Sequence, residues 1–158
     1  MVKDAFLNKI AGFQRLLFDT NSIIYFLQGI PPYNTILNPL FDYIEQQNLE
    51  AVISVITEAE LLVGPLKKDN KEALTVVQLF LHEFPGLKII PITRQIGQMA
   101  ATIRARTNLR LPDALIIATA KIAGCGAIIG NDRAWSDICK AITAMPEVII
   151  LDLFVEGQ

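Results

Sequence analysis

Four acidic residues stand at separate points along the chain, each beside an apolar run that is typical of a buried strand or helix. The four are Asp19, Glu60, Asp113 and Asp132. Several carboxylates with no histidine or cysteine nearby favour hard divalent cations, Mg²⁺ or Mn²⁺, over zinc. Two such ions about 4 Å apart can activate a water and stabilise the leaving oxygen in phosphodiester cleavage. If the fold brings these side chains together, the sequence predicts a divalent-metal site.

Each acid also has an ordinary structural explanation. Asp19 and Asp132 precede predicted helices and can act as N-caps, and Asp113 falls in a predicted first turn, where a negative charge complements the helix dipole. Glu60 stands three residues after Thr57, which is the spacing of a capping box. Because apolar residues flank Glu60, we also expect it near the interior, where an ionised group needs a partner such as a metal ion. No single acid therefore identifies a functional site.

Five short apolar runs predict strands, and the patterns between them predict helices. The predicted strands are residues 15–19, 51–55, 87–92, 127–130 and 147–151, and the predicted helices are residues 22–28, 36–47, 57–63, 70–84, 93–107, 112–123 and 135–139. The pair Gly64-Pro65 is expected to end the third of these helices. Continuous apolarity of the strands and their alternation with helices indicate an α/β fold with a parallel sheet covered on both faces.

The order of these elements predicts where the acids meet. In an open parallel sheet the functional crevice lies outside the carboxyl ends of the strands. Asp19 and Asp132 directly follow predicted strands, and Glu60 lies near the start of the helix after the second strand. We expect these three at one edge of the sheet. Asp113 reaches that edge in only one of several arrangements, because two helices separate the third strand from the fourth.

Charge along the chain is uneven. The 158 residues carry 14 basic and 16 acidic side chains, a net charge of −2 that argues against a strongly electrostatic nucleic-acid binder. Residues 84–112 nevertheless contain five basic residues and no acidic one. Within this basic stretch Arg104, Arg106 and Arg110 precede Asp113 along the chain. They can be explained either as a surface that binds the RNA backbone or as an ordinary solvent-exposed helix face.

Composition limits the class of protein further. The length suits one domain with a sizeable core, and two cysteines without ligand spacing are expected of a reducing, cytoplasmic environment. Neither a signal peptide nor a membrane span is predicted. Hydrophobic residues make up 52% of the chain and the mean hydropathy is +0.40, so we expect another chain to cover some apolar surface. Residues 1–14 have an amphipathic helical pattern and are predicted to form an extension before a domain at 15–158.

Four motifs occur in order along the chain: LFDTN at 17–21, ISVITEAELLVG at 53–64, LPDALIIATA at 111–120 and NDRAW at 131–135. Together they resemble the PIN domain, and most closely the VapC-type toxins, from about Leu16 to Leu151. The chain departs from the family pattern at its fourth motif, where Gly130 replaces the usual Thr or Ser and Ala134-Trp135 replaces an acid-aromatic pair. The N-terminal helix is a further departure.

The resemblance implies a fold, a site and an activity. The fold is a PIN-like three-layer sandwich whose central, mainly parallel five-stranded sheet is flanked by helices. The implied Mg²⁺ or Mn²⁺ site consists of the four acids, supported by Thr20 and Asn21, and Arg133 joins the arginines of the basic stretch as a candidate RNA contact. The implied activity is endonucleolytic cleavage of single-stranded RNA by a homodimer, often as a toxin held inactive by an antitoxin.

Two other classes of function stay open at this point. A phosphotransfer enzyme on a similar sheet would use an aspartate as nucleophile, but the position two residues after Asp19 is Asn21, where a second acid is wanted. A PIN-fold binding module without strong catalysis would act through a protein partner, and the altered fourth motif and the apolar composition favour it over phosphotransfer. Binding of Mg²⁺ or Mn²⁺ that depends on Asp19 distinguishes the hydrolase from the binding module.

Overall fold

One five-stranded sheet organises the part of the chain that the structure, a computed structural model, describes: residues 2–46 and 48–155, without the side chain of Val2. The strands are β1 Arg15–Phe18, β2 Glu50–Ser54, β3 Leu87–Ile90, β4 Ala127–Gly130 and β5 Glu147–Ile150. Their order across the sheet is β3-β2-β1-β4-β5, and every neighbouring pair is parallel. The predicted parallel sheet is therefore confirmed.

Helices cover both faces of this sheet. They are α1 Val2–Ile10, α2 Thr20–Gln28, α3 Asn34–Glu45, α4 Val55–Lys67, α5 Lys71–Glu83, α6 Arg94–Arg106, α7 Leu111–Ile122 and α8 Arg133–Ala141, followed by a 3₁₀ helix, Leu151–Phe154. The predicted three-layer α/β sandwich is confirmed. In residues 2–46 and 48–155, no helix combines the length and the apolarity that crossing a bilayer requires.

Alternating side chains of the strands build two separate cores. Leu16 and Phe18 of β1 pack with α1, α2, α3 and α5 on one face, while Leu17 packs with α6, α7 and α8 on the other. All three side chains are fully buried. Successive residues of a strand point to opposite faces, so burial on both faces explains why the strand sequences are continuously apolar.

The third predicted helix differs from its prediction at both ends. The sequence predicts residues 57–63, but α4 begins at Val55 and runs through Gly64-Pro65 to Lys67. The prediction that Gly64-Pro65 ends the helix is wrong. Proline removes one helical hydrogen bond, yet the turn continues because the Lys68 N–H donates to the Gly64 carbonyl at 3.1 Å. The predicted end of another helix, residue 47, lies outside the described residues, and α3 ends at Glu45.

The N-terminal amphipathic helix packs on this domain. Phe6 and Ile10 of α1 are fully buried against α3 and the 3₁₀ helix, and the Phe6 ring meets Phe154 edge-on at 5.3 Å between centroids. Lys9 also pairs with Glu147 at 3.1 Å. The division into an extension at 1–14 and a domain at 15–158 stays a prediction.

The strand order creates a crevice at one position. From β1 the chain moves outward to β2 and β3 on one side, and then returns to place β4 and β5 on the other. The direction of winding therefore reverses between β1 and β4, and ligands of open α/β sheets bind at such a switch point. The residues that follow Phe18 and Gly130 lie at its mouth.

Candidate functional site

A cleft of about 540 Å³ opens at the carboxyl ends of β1 and β4. Its lining includes all four predicted acids, which are Asp19, Glu60, Asp113 and Asp132. Thr20, Asn21, Arg110 and Arg133, also predicted from the sequence, line it too. Acids separated by up to 113 positions in the chain, from Asp19 to Asp132, therefore surround one polar space. Asp113 reaches the edge that only one of the possible arrangements allowed.

Asp19 combines a structural role with an unusual electrostatic environment. It caps α2, because its Oδ1 accepts a hydrogen bond of 2.8 Å from the Ser22 N–H. It is only 6% exposed, and this burial raises the pKa of its carboxyl above the ordinary value. Hydrogen bonds from Ser22 and from the Asn131 N–H lower that pKa, and the negative charge of Asp132 raises it further. A cation in the cleft would favour the ionised form.

The second oxygen of Asp19 occupies the space beside Gly130. A Cβ atom added to Gly130 would lie 2.6 Å from Asp19 Oδ2 and 3.0 Å from its Cγ, closer than real Cβ contacts come. A larger residue at this position would displace the carboxylate. The departure of the fourth motif at Gly130 therefore has a physical reason in this chain, namely the close approach of Asp19 to the end of β4.

Asp132 and Asp113 face the same space from two helix starts. Asp132 caps α8 by accepting a hydrogen bond of 2.9 Å from the Ala134 N–H. Asp113 lies in the first turn of α7, and its pKa is raised by burial, lowered by the charge of Arg110 and raised by that of Asp132. The Arg110 Nε is 4.0 Å from Asp113 Oδ2, and the Arg110 side chain is 84% exposed, so this pair is weak.

Glu60 differs from its prediction in two respects. The capping-box interpretation is wrong, because α4 begins two residues earlier and Ser54 caps it by accepting from the Ile56 N–H at 3.1 Å. The expectation that Glu60 lies near the interior is also wrong, since the side chain is exposed on the rim of the cleft. A helix that starts at residue 55 turns the Glu60 side chain outward while Thr57 and Leu61 are buried.

A hydroxyl pair ties Glu60 to the end of β1. The Thr20 hydroxyl donates to Glu60 Oε1 at 2.8 Å and lies 3.1 Å from the Thr57 hydroxyl. A hydroxyl has one hydrogen and a carboxylate accepts only, so Thr57 donates to Thr20. Thr57 and Thr20 thus form a chain of hydrogen bonds that holds the Glu60 carboxylate beside Thr20, the residue that follows Asp19.

The predicted basic residues separate into two groups. Arg110 and Arg133 line the cleft, whereas Arg104 and Arg106, on the last turn of α6, are not among its lining residues. The Arg104 Nε donates to the Leu109 carbonyl at 2.9 Å, which places this guanidinium on the loop before α7. Of the three arginines predicted in the basic stretch, Arg110 alone therefore lines the cleft.

The donor set fits a hard divalent cation. All four acids offer oxygen, and the charge of Asp132 acts on both Asp19 and Asp113. Within the described ranges, no three Asp, Glu, His or Cys side chains are close enough to hold an ion together. Mg²⁺ keeps several of its waters and binds proteins through one or two carboxylates, so a closed cage of protein ligands is not required.

The sequence patterns missed three residues of the cleft, Ile116, Asn131 and Trp135. Asn131 directly follows β4, and that strand-end position was the available signal. Trp135 lines the cleft from the first turn of α8 but is 5% exposed, and its indole Nε1 has no hydrogen-bond partner among the described residues.

Sequence comparison identifies a family over most of the chain. The family model for the PIN domain matches residues 16–141. The match spans all four acids and leaves out α1 and the C-terminal 3₁₀ helix. No curated protein matches the chain in sequence.

Several solved structures have a similar fold, and one of them is a toxin–antitoxin complex. VapBC2 from Rickettsia felis, bound to a DNA fragment from its promoter, has 20% identity and a TM-score of 0.68, covering 86% of this chain and 98% of that chain. FitAcB from Neisseria gonorrhoeae has 22% identity and a TM-score of 0.64, with 86% and 97% covered. A toxin–antitoxin complex from Klebsiella pneumoniae has 26% identity and a TM-score of 0.56, with the same coverage.

Proposed function

The chain belongs to the PIN domain family, and from that membership we propose that it is a metal-dependent endoribonuclease that cleaves single-stranded RNA. The observation that carries this proposal is the convergence of Asp19, Glu60, Asp113 and Asp132 on one cleft. PIN domains are typically nucleases that use divalent metal. The four acids stand at the family motifs, so the same chemistry is proposed for this cleft.

In this proposal one or two Mg²⁺ or Mn²⁺ ions lie among Asp19, Asp113 and Asp132. Each ion takes one or two of these carboxylates and keeps several of its waters, with Glu60 at the rim. When bound, such ions activate a water and stabilise the leaving oxygen of a phosphodiester. The chain's own residues keep the carboxylates in place. Backbone N–H groups of Ser22 and Asn131 hold the Asp19 carboxylate, and the Ala134 N–H holds one oxygen of Asp132. A carboxylate has about four lone-pair sites, so each of these groups can still bind a cation.

Arg110 and Arg133 are proposed to hold the RNA backbone. Both line the cleft mouth, where a guanidinium pairs well with phosphate oxygens. Asn21, exposed beside Asp19, is proposed to support the substrate side of the site, and Thr20 supports Glu60. Arg104 and Arg106, at the end of α6, are proposed only to extend this basic surface outward.

We further propose a protein partner and self-association, on the apolar surface of α4 and α5. Val63, Leu66, Val76 and Leu79 are between 47% and 60% exposed there. Large apolar side chains grouped on a surface mark interaction sites. The similar structures that contain an antitoxin support a partner of that class, and the molar mass in solution with and without a co-expressed upstream gene product tests both parts.

The experiment that tests the proposed activity compares two active-site variants with a matched control. Asp19→Asn and Asp113→Asn keep the shape of each side chain but remove its charge. Asp42→Asn makes the same change on an exposed position of α3 that does not line the cleft. We expect single-stranded RNA cleavage in Mn²⁺ to be lost in the first two variants and kept in the third.

Two other results would contradict the proposal. Cleavage at the wild-type rate by either cleft variant would show that the assigned carboxylates do not perform the reaction. Wild-type protein that binds its partner but neither cleaves RNA nor binds Mn²⁺ would instead identify a PIN-fold binding module.

A further inference from the structure

An acid outside the matched family region contacts the cleft through Asn131. Asp152, in the C-terminal 3₁₀ helix, accepts a hydrogen bond of 3.2 Å from Asn131 Nδ2 at its Oδ1. Its backbone N–H donates to Asn131 Oδ1 at 2.8 Å. Both ends of the Asn131 amide are therefore bound by one residue, which fixes the orientation of that side chain.

Asn131 in turn connects Asp152 to two of the acids. It stands between Gly130 and Asp132 and lines the cleft. Its backbone N–H hydrogen-bonds to the Asp19 carboxylate. A shift of Asn131 would therefore move a donor away from Asp19 and change the start of α8, where Asp132 is the N-cap.

Two distant elements keep Asp152 in place. The Tyr33 hydroxyl donates to Asp152 Oδ1 at 2.6 Å, and the Tyr33 ring stacks on Tyr25 at 4.1 Å between centroids. On the other side Phe154, two residues after Asp152, packs against Phe6 of α1. The position of Asp152 thus depends on helices at the opposite end of the chain, and this support does not require any ligand in the cleft.

We propose that Asp152 is a positioning residue of the cleft: by binding the Asn131 amide at both ends, it sets the geometry in which Asp19 and Asp132 receive a divalent cation. The inference rests on the proposed function, and it assigns a role to a residue beyond residues 16–141. Outer residues that orient metal ligands typically change metal affinity or activity by about 10- to 100-fold when they are removed.

Calorimetric titration of the full chain with Mn²⁺ tests this role without any measurement of activity. Asp152→Ala removes the acceptor, and we expect Mn²⁺ affinity to fall about tenfold. Asp152→Asn keeps an amide oxygen in the same place, and we expect it to restore most of the affinity. Leu153→Ala alters the exposed next residue, which is not among the cleft-lining residues, and leaves the affinity unchanged.

A double-mutant cycle with Asn131→Ala distinguishes positioning from general loosening. If Asp152 acts through the Asn131 side chain, the double variant binds Mn²⁺ no more weakly than the worse single variant. Losses that add, or an Asn131→Ala variant with wild-type affinity, would overturn the inference. If Asp152→Ala does not fold, Asn131→Ala alone still tests the inference, because wild-type Mn²⁺ affinity in that variant overturns it.

Failure of this inference differs from failure of the proposed function. If the wild-type chain binds Mn²⁺ and folded Asp152→Ala binds it equally well, only the positioning role is overturned. If the wild-type chain binds no Mn²⁺, the metal site and the positioning role are overturned together.

Discussion

The Thr20 hydroxyl donates a hydrogen bond of 2.8 Å to Glu60 Oε1, across 40 positions of the chain. This contact joins the first residue of α2 to α4, and it connects the residue that follows Asp19 to a candidate acid on the rim of the cleft. It gives Thr20 a definite role, since a hydroxyl at this position orients a carboxylate that is otherwise free to turn into solvent.

Replacement of Thr20 tests that role. Thr20→Val keeps the branched shape but removes the donor, and we expect RNA cleavage to fall by about tenfold, the equivalent of one hydrogen bond to a charged group at a partly solvated site. Thr20→Ser retains the hydroxyl and should keep most of the activity. Equal activity of the valine and serine variants would show that the Thr20–Glu60 contact has no part in cleavage.

Gly130→Ala is expected to disable the cleft without unfolding the protein. The new Cβ would lie 2.6 Å from Asp19 Oδ2, so the carboxylate must move, and Mn²⁺ affinity and RNA cleavage should fall together. Gly97→Ala is the matched control, because no atom lies within 4 Å of its added Cβ and the residue lies inside α6, after its first turn. The control should gain up to about 1 kcal/mol in unfolding free energy and keep its activity.

The pKa of Asp19 predicts how stability changes with pH in the absence of metal. Burial raises the pKa of the Asp19 carboxyl above its ordinary value, so the folded state binds the proton more tightly than the unfolded state. Stability therefore falls as pH rises through the interval between the unfolded and folded pKa values. We expect Asp19→Asn, whose amide oxygen can still accept from Ser22, to melt at a higher temperature than wild type at neutral pH in a chelator.

Divalent metal should reverse the order of the melting temperatures of wild type and Asp19→Asn. A cation that binds only the folded state raises the melting temperature of the wild type and has little effect on Asp19→Asn. Thermal melts of the wild type and of Asp19→Asn, each with chelator and with Mn²⁺, give the four melting temperatures for this comparison. A wild-type melting temperature above that of Asp19→Asn in chelator would contradict the raised pKa.

Phe6 of α1 is expected to contribute strongly to stability. It is fully buried against α3 and Phe154, and truncation of a buried phenylalanine costs about 3–5 kcal/mol. Chemical denaturation of Phe6→Ala measures this loss, with exposed Asn8→Ala in the same helix as the control. A loss below about 1 kcal/mol would show that α1 is an appended helix, as the predicted boundary at residue 14 implies.

The sequence predicted the elements better than it predicted their ends. The strand at 127–130 was located correctly because an apolar run of 4 residues between Gly126 and Asn131 is too short for a helix. The start of α4 was misplaced because Ser54 and Thr57 are both good caps, and only the three-dimensional structure shows which hydroxyl meets the first turn and which meets Thr20.

The candidate site could be predicted only in part, because local patterns locate strand ends but not tertiary contacts. Asp19 and Asp132 follow strands that the pattern identified, so their meeting at one edge follows from a parallel sheet alone. The position of Asp113 depends on how two consecutive helices, α6 and α7, cross the sheet, and the link from Asp152 to Asn131 depends on a 3₁₀ helix with no sequence pattern. Such long-range contacts are not encoded in local periodicity.

Diffraction from crystals soaked in Mn²⁺ tests the central claim most directly, because anomalous scattering locates the ion itself. We predict an anomalous peak in the cleft, bounded by the carboxylates of Asp19, Asp113 and Asp132, that is lost in crystals of Asp19→Asn. Wild-type crystals with no peak in the cleft, or a peak that persists unchanged in the Asp19→Asn variant, would contradict a carboxylate-held metal site.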